Sequence, residues 1–600
     1  MTTTNAGYAP NIITLINEAW DTYADRVVLR RTDDDDNWID ITGREVREHV
    51  DAVAKGLMAR GVKPGQTIGI MSRTRYEWSV LDFAIWSVGA VPVPIYDTSS
   101  REQVDWITSD ANVEIVFVET SEHAKLAKKV AKGESPLREV HVIDDGALDD
   151  FAKAGAAVAD ADLAGRKQLA GHDDLATIMY TSGTTGRPKG VRLTQFSYVR
   201  HVAGLQEELH DVLFGEGAGT VLFLTLAHSL ARLVQVVLVA SGTVIGYCPD
   251  TTKLVPLMGT FKPTLILAVP RVFEKVYNSA EQKAAAGGKV KIFRWAAKQA
   301  IDYSKAMDNP KGPSKALSLR HKVAHKLVLK KIHDVLGGRG RWAVSGSAPL
   351  GERFGHFYRG LGLTVLEGYG LTETNAASHV NRPDLVKIGT VGPPLPGLEV
   401  KIADDGEILM RGEQLFDGYH HNPEATTETH EDGWFKTGDI GHQDSDGYLT
   451  ITGRKKEIIV TAGGKNVAPA ILEERIRSYA LVSQCVVVGD GKPFIGALVT
   501  LDAEALPGWL KGKDLEPMTV EQAAQDPTVR QHLDRAMKRA NRAVSRAESV
   551  RKYEVLAADF TIDNGYLTPS MKVKRELVLA DHADAVERLY TEDAREVPTS

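Results

Sequence analysis

The sequence predicts an α/β protein with a large N-terminal domain and a smaller C-terminal domain. Six hundred residues are more than one compact core accommodates, so at least two domains are expected. Up to about residue 270, short apolar runs alternate with segments of helical length, which is typical of parallel-rich sheets covered by helices. From Thr390 onward this alternation gives way to short strands and turns.

The N-terminal elements follow one another in a regular order. Apolar runs predict strands at 67–71, 90–96 and 113–119, and the segments at 76–88 and 101–109 predict helices. A further apolar run, 175–179, predicts a strand that leads into a loop rich in glycine and hydroxyl groups. Because parallel sheets bind ligands at the carboxyl ends of their strands, we expect that loop at a ligand site.

The last third of the chain predicts two further units. Strands at 398–402, 406–410 and 447–452 indicate a small β subdomain that completes an N-terminal domain of residues 1–454. Residues 455–600 are expected to form a smaller, mobile α+β domain, with strands at 484–488 and 494–501 and long helices between 520 and 550. We place the hinge between the two domains at Lys455 and Lys456.

Composition argues against several classes of protein. A hydrophobic content of 43% and a charged content of 25% are ordinary for a soluble enzyme, and a net charge of −7 gives no reason to expect a nucleic-acid partner. Cys248 and Cys485 lie in apolar surroundings, which indicates buried thiols in a reducing compartment. The N-terminus lacks the features of a secretory signal, so a cytoplasmic location is expected. The apolar segment 221–240 contains Arg232 and is interpreted as a buried strand and a core helix, not as a membrane span.

One segment differs from the rest in charge. Residues 282–341 hold fifteen Lys/Arg and three Asp/Glu, a balance of +12 in a chain of −7. Apolar residues are interspersed with the basic ones, as in the helical stretch 321–332. Two interpretations stay open: a solvated, lysine-rich helical hairpin, or a face that contacts anionic membrane on its cytoplasmic side.

The segment 180–190, Tyr-Thr-Ser-Gly-Thr-Thr-Gly-Arg-Pro-Lys-Gly, has the composition of a phosphate loop. Glycines let backbone N–H groups approach phosphate oxygens, hydroxyls donate further hydrogen bonds, and a lysine adds positive charge. It is not a Walker loop, because Pro188 replaces the second glycine and Gly190 replaces the Ser/Thr. The phosphate-binding residues are predicted to be Thr181, Ser182, Gly183, Thr184, Thr185, Gly186 and Lys189.

Further motifs follow in a fixed order: Gly-Tyr-Gly-Leu-Thr-Glu-Thr at 368–374, Trp-Phe-Lys-Thr-Gly-Asp at 434–439, a stretch ending in Gly-Arg-Lys-Lys at 447–456, and Ser-Met-Lys-Val-Lys-Arg at 570–575. Together with the loop, they resemble the adenylate-forming (AMP-binding) superfamily from about residue 10 to about residue 580. Within this superfamily, two segments resemble the long-chain fatty acid–CoA ligases of bacterial type: the basic helical segment 282–341, which we call the basic insertion, and the segment 94–100.

The resemblance implies a role for each matched residue. Gly346, Ser347, Ala348 and Pro349 would form one wall of the adenine site, and Tyr369 and Gly370 the other. Thr372 would touch the α-phosphate, Glu373 would bind Mg²⁺, Asp439 would accept both ribose hydroxyls, and Arg454 would reach the ribose or the phosphates. Lys572 would be the lysine that the C-terminal domain brings to the α-phosphate. Thr181, Glu373, Arg454 and Lys572 would be catalytic, and His228 would line the acyl pocket.

Taken alone, several of these residues also fit ordinary structural roles. Glu373 could cap a helix, the Thr-Gly before Asp439 could be a turn, His228 could be structural, and Lys572 could belong to a basic tail. The family usually has glycine where this chain has Met571, so Lys574 stays an alternative to Lys572.

The implied reaction is the ATP-dependent ligation of a long-chain fatty acid to CoA through an acyl-AMP, with release of AMP and pyrophosphate. ATP, Mg²⁺ and CoA are the implied cofactors, and no separate motif for CoA is evident. One alternative is a fatty acyl-AMP ligase that loads a carrier protein. The other is a non-catalytic protein that binds nucleotide or lipid.

Overall fold

The protein has the predicted α/β architecture, with parallel-rich sheets in the N-terminal part and a separate C-terminal domain. The computed structural model describes residues 7–181, 187–568, 571–591 and 596–597. One four-stranded sheet is wholly parallel, in the order Val91–Ile95, Thr67–Met71, Ile115–Val118, Glu139–Val142. In another, only the outer pair is antiparallel, in the order Trp38–Thr42, Val27–Thr32, Val244–Tyr247, Gly219–Leu222. The central strands of the parallel sheet, Thr67–Met71 and Ile115–Val118, are buried along almost their whole length because both faces of the sheet are covered.

A third sheet positions the site. Its strands are Leu265–Leu267, Trp342–Ser345 and Thr364–Tyr369, which are parallel, and His379–Val380, which is antiparallel to the last of them. Ser345 lies opposite Glu367, so two neighbouring strands end at the same edge. The segments 346–349 and 370–373 follow these ends. This edge is where ligands of parallel sheets bind.

The strand before the glycine-rich loop differs from the expectation. Leu175–Thr181 pairs antiparallel with Lys189–Thr194, and Thr181 lies opposite Lys189, so the loop joins the two arms of a hairpin instead of ending a parallel strand. An apolar run indicates burial but not the direction of the partner strand, which is why the sequence misled here. Ser182, Gly183, Thr184, Thr185 and Gly186 lie outside the described residues.

Helices cover these sheets. The N-terminal helices are Ile12–Thr22, Gly43–Ala59, Tyr76–Ser87, Arg101–Asp110, Ser121–Ala131, Ala147–Ala154, Asp160–Lys167, Gln195–Glu208, His210–Leu213, Ser229–Ala240, Leu254–Phe261, Pro270–Ala286, Val290–Met307, Lys315–Ala324, Lys330–Val335, Glu352–Leu361 and Pro423–Glu428. The segment 221–240 is the predicted end of a buried strand followed by a core helix. Among the described residues, no helix is both long and apolar enough to cross a membrane.

A buried ion pair anchors helix Ser229–Ala240. Arg232 donates to both carboxylate oxygens of Asp82, at 2.6 and 3.0 Å, and to Thr177 Oγ1 at 2.6 Å. Neither charged side chain is exposed to solvent. Removing one partner of such a pair would leave an uncompensated buried charge, which costs about 3–5 kcal/mol. The pair therefore holds this helix against helix Tyr76–Ser87 and strand Leu175–Thr181.

The β subdomain is antiparallel. Its strands are Leu398–Ile402, Glu407–Gly412, His430–Glu431, Trp434–Gln443 and Leu449–Arg454. Asp439 and Arg454 lie opposite each other on two of them.

The C-terminal domain has its own core around the sheet Val482–Val488, Ile495–Leu501, Val550–Val555. The two-stranded pair Ile459–Val460 and Asn466–Val467 precedes it, and its helices are Pro469–Arg477, Leu506–Lys511, Val520–Gln525, Pro527–Asn541, Arg575–Asp581 and Ala583–Leu589. The long helices expected between 520 and 550 are one short helix and one of 15 residues, which are separated at Asp526 and Pro527. Proline cannot continue a preceding helix, and Asp526 caps the next one. Both cysteines are free and buried, as predicted.

Candidate active site

A cavity of about 1890 Å³ lies where the third sheet, the β subdomain and the C-terminal domain meet. Every described residue of the predicted site lines it: Thr181, Lys189, His228, Gly346, Ser347, Ala348, Pro349, Tyr369, Gly370, Thr372, Glu373, Asp439, Arg454, Lys455, Lys456 and Lys572. These residues are distributed over almost 400 positions of sequence, and the fold gathers them around one space.

A hydrogen-bonded group joins the positions that were predicted to bind adenine and ribose. The Tyr369 hydroxyl donates to Asp439 Oδ2 at 2.6 Å, and Arg454 Nε lies 3.0 Å from Asp439 Oδ1. Burial, and then the Asp439 charge, raise the pKa of Tyr369 well above its ordinary value, so it stays a donor. An ionised carboxylate has about four acceptor positions, which leaves Asp439 able to accept ribose hydroxyls as well.

Glu373 lies in a 3₁₀ turn, Thr372–Thr374, that follows the strand Thr364–Tyr369. Its Oε1 accepts a hydrogen bond of 2.7 Å from the hydroxyl of Tyr419, and the ammonium of Lys189 lies 5.0 Å from the centre of the Tyr419 ring. Glu373 does not act as the helix cap that the isolated motif allowed. Tyr419 therefore orients Glu373 on the side of the cavity where Lys189 lies.

The cavity wall formed by the segment after strand Thr364–Tyr369 leaves no space for a side chain at Gly370. A Cβ on Gly370 would lie 1.7 Å from the carbonyl oxygen of Ala376, so only glycine fits there. On the facing segment, Ser347 adopts a φ of 70°, a left-handed conformation uncommon for residues other than glycine. The two segments after the parallel strands are thus held in closely defined conformations.

Lys572 reaches the cavity from a tight turn of the C-terminal domain. Its backbone N–H donates to Thr568 Oγ1 at 3.0 Å, and its carbonyl accepts from the Thr568 N–H at 2.8 Å. Met571 has a φ of 64° in this turn, a left-handed conformation that glycine adopts readily. The position therefore suits glycine, and the methionine side chain makes the backbone conformation there less favourable. Lys574 is the N-cap residue of helix Arg575–Asp581 and does not line the cavity. The placement favours Lys572 over Lys574.

The cavity environment lowers the pKa values of both Lys572 and His228. Solvent reaches Lys572 through the cavity, but protein surrounds it, and this desolvation, followed by the nearby Arg454, lowers its pKa. Burial, and then Lys572, lower the pKa of His228 to about 4. His228 is neutral at physiological pH and caps helix Ser229–Ala240, since its Nδ1 accepts from the Leu230 N–H at 3.2 Å.

The model of the AMP-binding enzyme family matches residues 16–420, and the model of the AMP-binding enzyme C-terminal domain matches residues 456–594. The chain belongs to the AMP-binding enzyme family. It is 50% identical over 560 residues to the long-chain-fatty-acid–CoA ligase FadD15 of Mycobacterium tuberculosis, covering 93% of each chain. It is 32% identical to the peroxisomal long chain acyl-CoA synthetase 7 of Arabidopsis thaliana, covering 93% of this chain and 82% of that one.

Solved structures show the same fold. The A-PCP didomain of the carboxylic acid reductase from Segniliparus rugosus, in complex with AMP, has a TM-score of 0.74 at 22% identity, covering 98% of this chain and 83% of that one. At this identity the likeness supports the fold alone.

In this AMP-binding enzyme the cavity continues past His228 as an apolar arm. The arm lies along helices Gln195–Glu208, His210–Leu213 and Ser229–Ala240, and its lining residues are Leu205, Leu209, Val212, Leu213, Leu230, Leu233, Val234, Val237 and Leu238. Val237 lies roughly 13 Å along the helix axis from His228, at 1.5 Å per residue. The sequence indicates His228 but not the arm, because the apolar residues of these helices have the pattern of ordinary helix cores.

Arg271 joins the two parts of the AMP-binding enzyme, a role that sequence reasoning also missed. Its Nη2 lies 3.2 Å from Asp502 Oδ2 and 3.3 Å from Ser483 Oγ, both in the C-terminal domain. On the same helix, the more exposed Lys275 pairs with Glu504 at 3.1 Å. These contacts hold the C-terminal domain in the arrangement that presents Lys572 to the cavity.

Arg271→Ala is expected to slow adenylate formation about tenfold, because loss of a partly buried interdomain pair destabilises this arrangement by about 1.4 kcal/mol. Pyrophosphate exchange measures that step. The double variant Arg271→Asp with Asp502→Arg should recover most of the rate, and Lys275→Ala, which removes only an exposed pair, should change it less than twofold. An unchanged exchange rate in Arg271→Ala would show that Arg271 does not position the domain.

Proposed function

We propose that this protein ligates a long-chain fatty acid to CoA in two steps. In the first, a carboxylate oxygen of the acid attacks the α-phosphorus of ATP and pyrophosphate leaves, which gives an acyl-AMP. In the second, the CoA thiolate attacks the acyl carbon and AMP leaves. The observation that carries the proposal is that Lys572, Glu373, Asp439 and Arg454 line one cavity that continues into an apolar arm.

The first step brings two anionic groups together, so positive charge at the α-phosphate lowers its barrier. Lys572 and Arg454 would supply that charge, and Thr372 would hydrogen-bond the α-phosphate. Tyr369, Gly370 and the wall of residues 346–349 would enclose the adenine, while Asp439 would hold the ribose. Thr181, Lys189 and the loop 182–186 would hold the departing phosphates.

The residues present suit a Mg²⁺ ion held jointly with ATP. Among the described residues, no group of three or more metal-binding side chains is present, and Mg²⁺ in nucleotide sites is usually held by one or two carboxylates and by phosphates. Glu373 is the carboxylate beside the phosphate loop, and Tyr419 leaves its second oxygen available. Mg²⁺ would neutralise phosphate charge during the first step.

The second step requires that Lys572 leave and that a thiolate enter. We propose that the C-terminal domain, residues 455–600, rotates at Lys455 and Lys456 against the N-terminal domain, residues 1–454. Lys455 pairs with Asp405 at 2.6 Å and with Glu407 at 2.8 Å, which ties it to the β subdomain. Lys456 has no such pair among the described residues and marks the moving side of the hinge.

The apolar arm is the proposed acyl site. Val237→Trp is expected to lower kcat/KM for palmitate by about tenfold or more and for octanoate by less than threefold, because the added ring blocks the arm beyond a short chain. The same change at Val239, on that helix but outside the cavity lining, is the control. A control that shows the same selectivity would mean that the effect reflects folding and not the arm.

The proposal includes a cytoplasmic location with peripheral contact to an anionic membrane, which the +12 balance of residues 282–341 supports. Products of an incubation with ATP, Mg²⁺ and C2 to C20 acids, with and without CoA, test the ligation. CoA-dependent acyl thioesters are expected. Acyl-AMP that accumulates irrespective of CoA would favour carrier-protein loading, and no product would favour a non-catalytic binding protein.

A further inference from the structure

The basic insertion carries a second apolar face that the fold does not cover. Helix Lys315–Ala324 continues through a π-helical turn, His325–Leu329, into helix Lys330–Val335. Leu319, Val323 and Leu327 are spaced by four residues and are 66%, 45% and 52% exposed. Residues four apart lie on the same side of a helix, so the three form one outward-facing apolar stripe.

This exposure is not a consequence of missing core contacts. The opposite side of the same helical segment is already buried, with Ala324, Leu329 and Ile332 packed into the core around Phe293. A helix in a globular protein normally presents one apolar face to the core and a polar face to water. The apolar stripe is therefore additional to the face that folding requires.

Cations flank the apolar stripe. From 315 to 331 the chain has six Lys/Arg and no acidic residue. At 100° per residue, Arg320 lies on one side of the stripe and Lys315 and Lys322 on the other. Among the described residues, only one of the six cations, Lys330, has an acidic partner, Asp334 at 2.8 Å. We name the other five the basic flanks: Lys315, Arg320, Lys322, Lys326 and Lys331.

We propose that the apolar stripe and the basic flanks form a surface that binds an anionic lipid bilayer. The inference rests on the proposed function, since a long-chain acid resides mainly in membranes, and it assigns the contact to particular side chains. The three apolar side chains would enter the boundary between headgroups and acyl chains. The flanking lysines and arginine extend along the surface and place their charges among anionic headgroups.

The positive charge of this surface argues against a second copy of the chain, or another protein, as its binding partner. A second copy of the chain would place six cations against six, with no acidic side chain in the segment to compensate them. Protein interfaces are also depleted of lysine, whereas this stripe has four lysines among its basic flanks. Anionic headgroups match both the cations and the apolar centre.

The surface also lies close to the active-site cavity. Helix Val290–Met307 packs against the stripe helix, and the Tyr303 and His321 rings stack at 4.0 Å between them. On its other side, Ile301 and Lys305 of that helix line the cavity. A bilayer bound at the stripe would thus be separated from the cavity by the helix that carries the stripe and by helix Val290–Met307, about 20 Å in all.

Co-sedimentation with vesicles of phosphatidylglycerol and phosphatidylcholine, and with vesicles of phosphatidylcholine alone, tests the proposal on the full-length protein. The first variant carries Leu319→Ser, Val323→Ser and Leu327→Ser, and the second carries Lys322→Glu and Lys326→Glu. Matched controls place the same chemistry elsewhere: Leu169→Ser with Leu385→Ser, which are 55% and 46% exposed, and Lys128→Glu with Lys129→Glu on helix Ser121–Ala131.

We expect the wild-type protein to bind the anionic vesicles, and to bind them less at high salt. The apolar-stripe variant and the basic-flank variant should each bind at least tenfold more weakly than wild type. The affinity of both control variants should stay within twofold of wild type. kcat/KM for octanoate, which needs no membrane, should be unchanged in all four variants. Unchanged sedimentation of the apolar-stripe and basic-flank variants, or equal binding of wild type to neutral and anionic vesicles, would overturn the proposal. It would also be overturned if the wild-type protein were a dimer in solution and these two variants were monomers, because the surface would then bind a second copy of the chain. Vesicle binding without ligation of any acid would refute the proposed ligase and leave the lipid surface standing.

Discussion

Lys572→Ala is expected to reduce adenylate formation by roughly 10²–10³-fold, the usual consequence of removing one charge-stabilising donor. Lys572 is a cation of the C-terminal domain that lines the cavity in this arrangement, near Arg454, Asp439 and Glu373. Thioester formation from supplied acyl-AMP should be nearly normal, because the proposed rotation of the C-terminal domain removes Lys572 from the cavity before the second step. Pyrophosphate exchange and acyl-AMP consumption measure the two steps separately.

Lys574→Ala is the matched control, since it removes a neighbouring lysine that does not line the cavity. It should change exchange less than threefold. Normal exchange in Lys572→Ala would overturn the assignment, and a larger loss in Lys574→Ala would transfer it to Lys574. The pH profile adds a third readout. Because the pKa of Lys572 is lowered, kcat/KM for adenylation should decline with rising pH earlier than a free lysine would predict, and Lys572→Ala should lack that decline.

Glu373→Gln is expected to lower the adenylation rate by roughly 10²-fold and to raise the Mg²⁺ concentration that gives half-maximal rate. Glutamine keeps the size of the side chain but removes the charge that a hard cation needs. The rate should be titrated with Mg²⁺ at saturating ATP.

Tyr419→Phe serves as the control, because it removes only the 2.7 Å hydrogen bond to Glu373 and keeps the carboxylate. Its rate should fall much less than that of Glu373→Gln. A Mg²⁺ titration of Glu373→Gln identical to that of wild type would show that Glu373 does not bind the metal.

The sequence predicted best where local pattern and local structure coincide. Strands Thr67–Met71 and Leu398–Ile402 have the predicted bounds, and most other predicted strands agree within two residues. The mainly apolar run 67–71 and the alternation of apolar and charged residues in 398–402 specify these strands without information about their partners. The direction of pairing is not encoded locally, which is why the hairpin Leu175–Thr181 with Lys189–Thr194 was expected as part of a parallel arrangement.

The candidate site was predictable in its residues but not in its arrangement. The motifs indicated Asp439 and Arg454 separately, and only the antiparallel register places them side by side at 3.0 Å. The choice between Lys572 and Lys574 depends on one left-handed residue, Met571, which directs the turn. The contacts of Arg271 with the C-terminal domain had no signal in the sequence, because its partners Ser483 and Asp502 lie more than 200 positions away.

The buried pair of Arg232 with Asp82 has a consequence for how the acyl site can change. It locks the helix that forms one side of the arm by electrostatics on the face turned away from the cavity. Side chains on the cavity face can then be exchanged without moving the backbone that carries them. The helix backbone is therefore a rigid support, and we expect single substitutions on its cavity face to change the preferred acyl chain length without displacing His228 or Lys572.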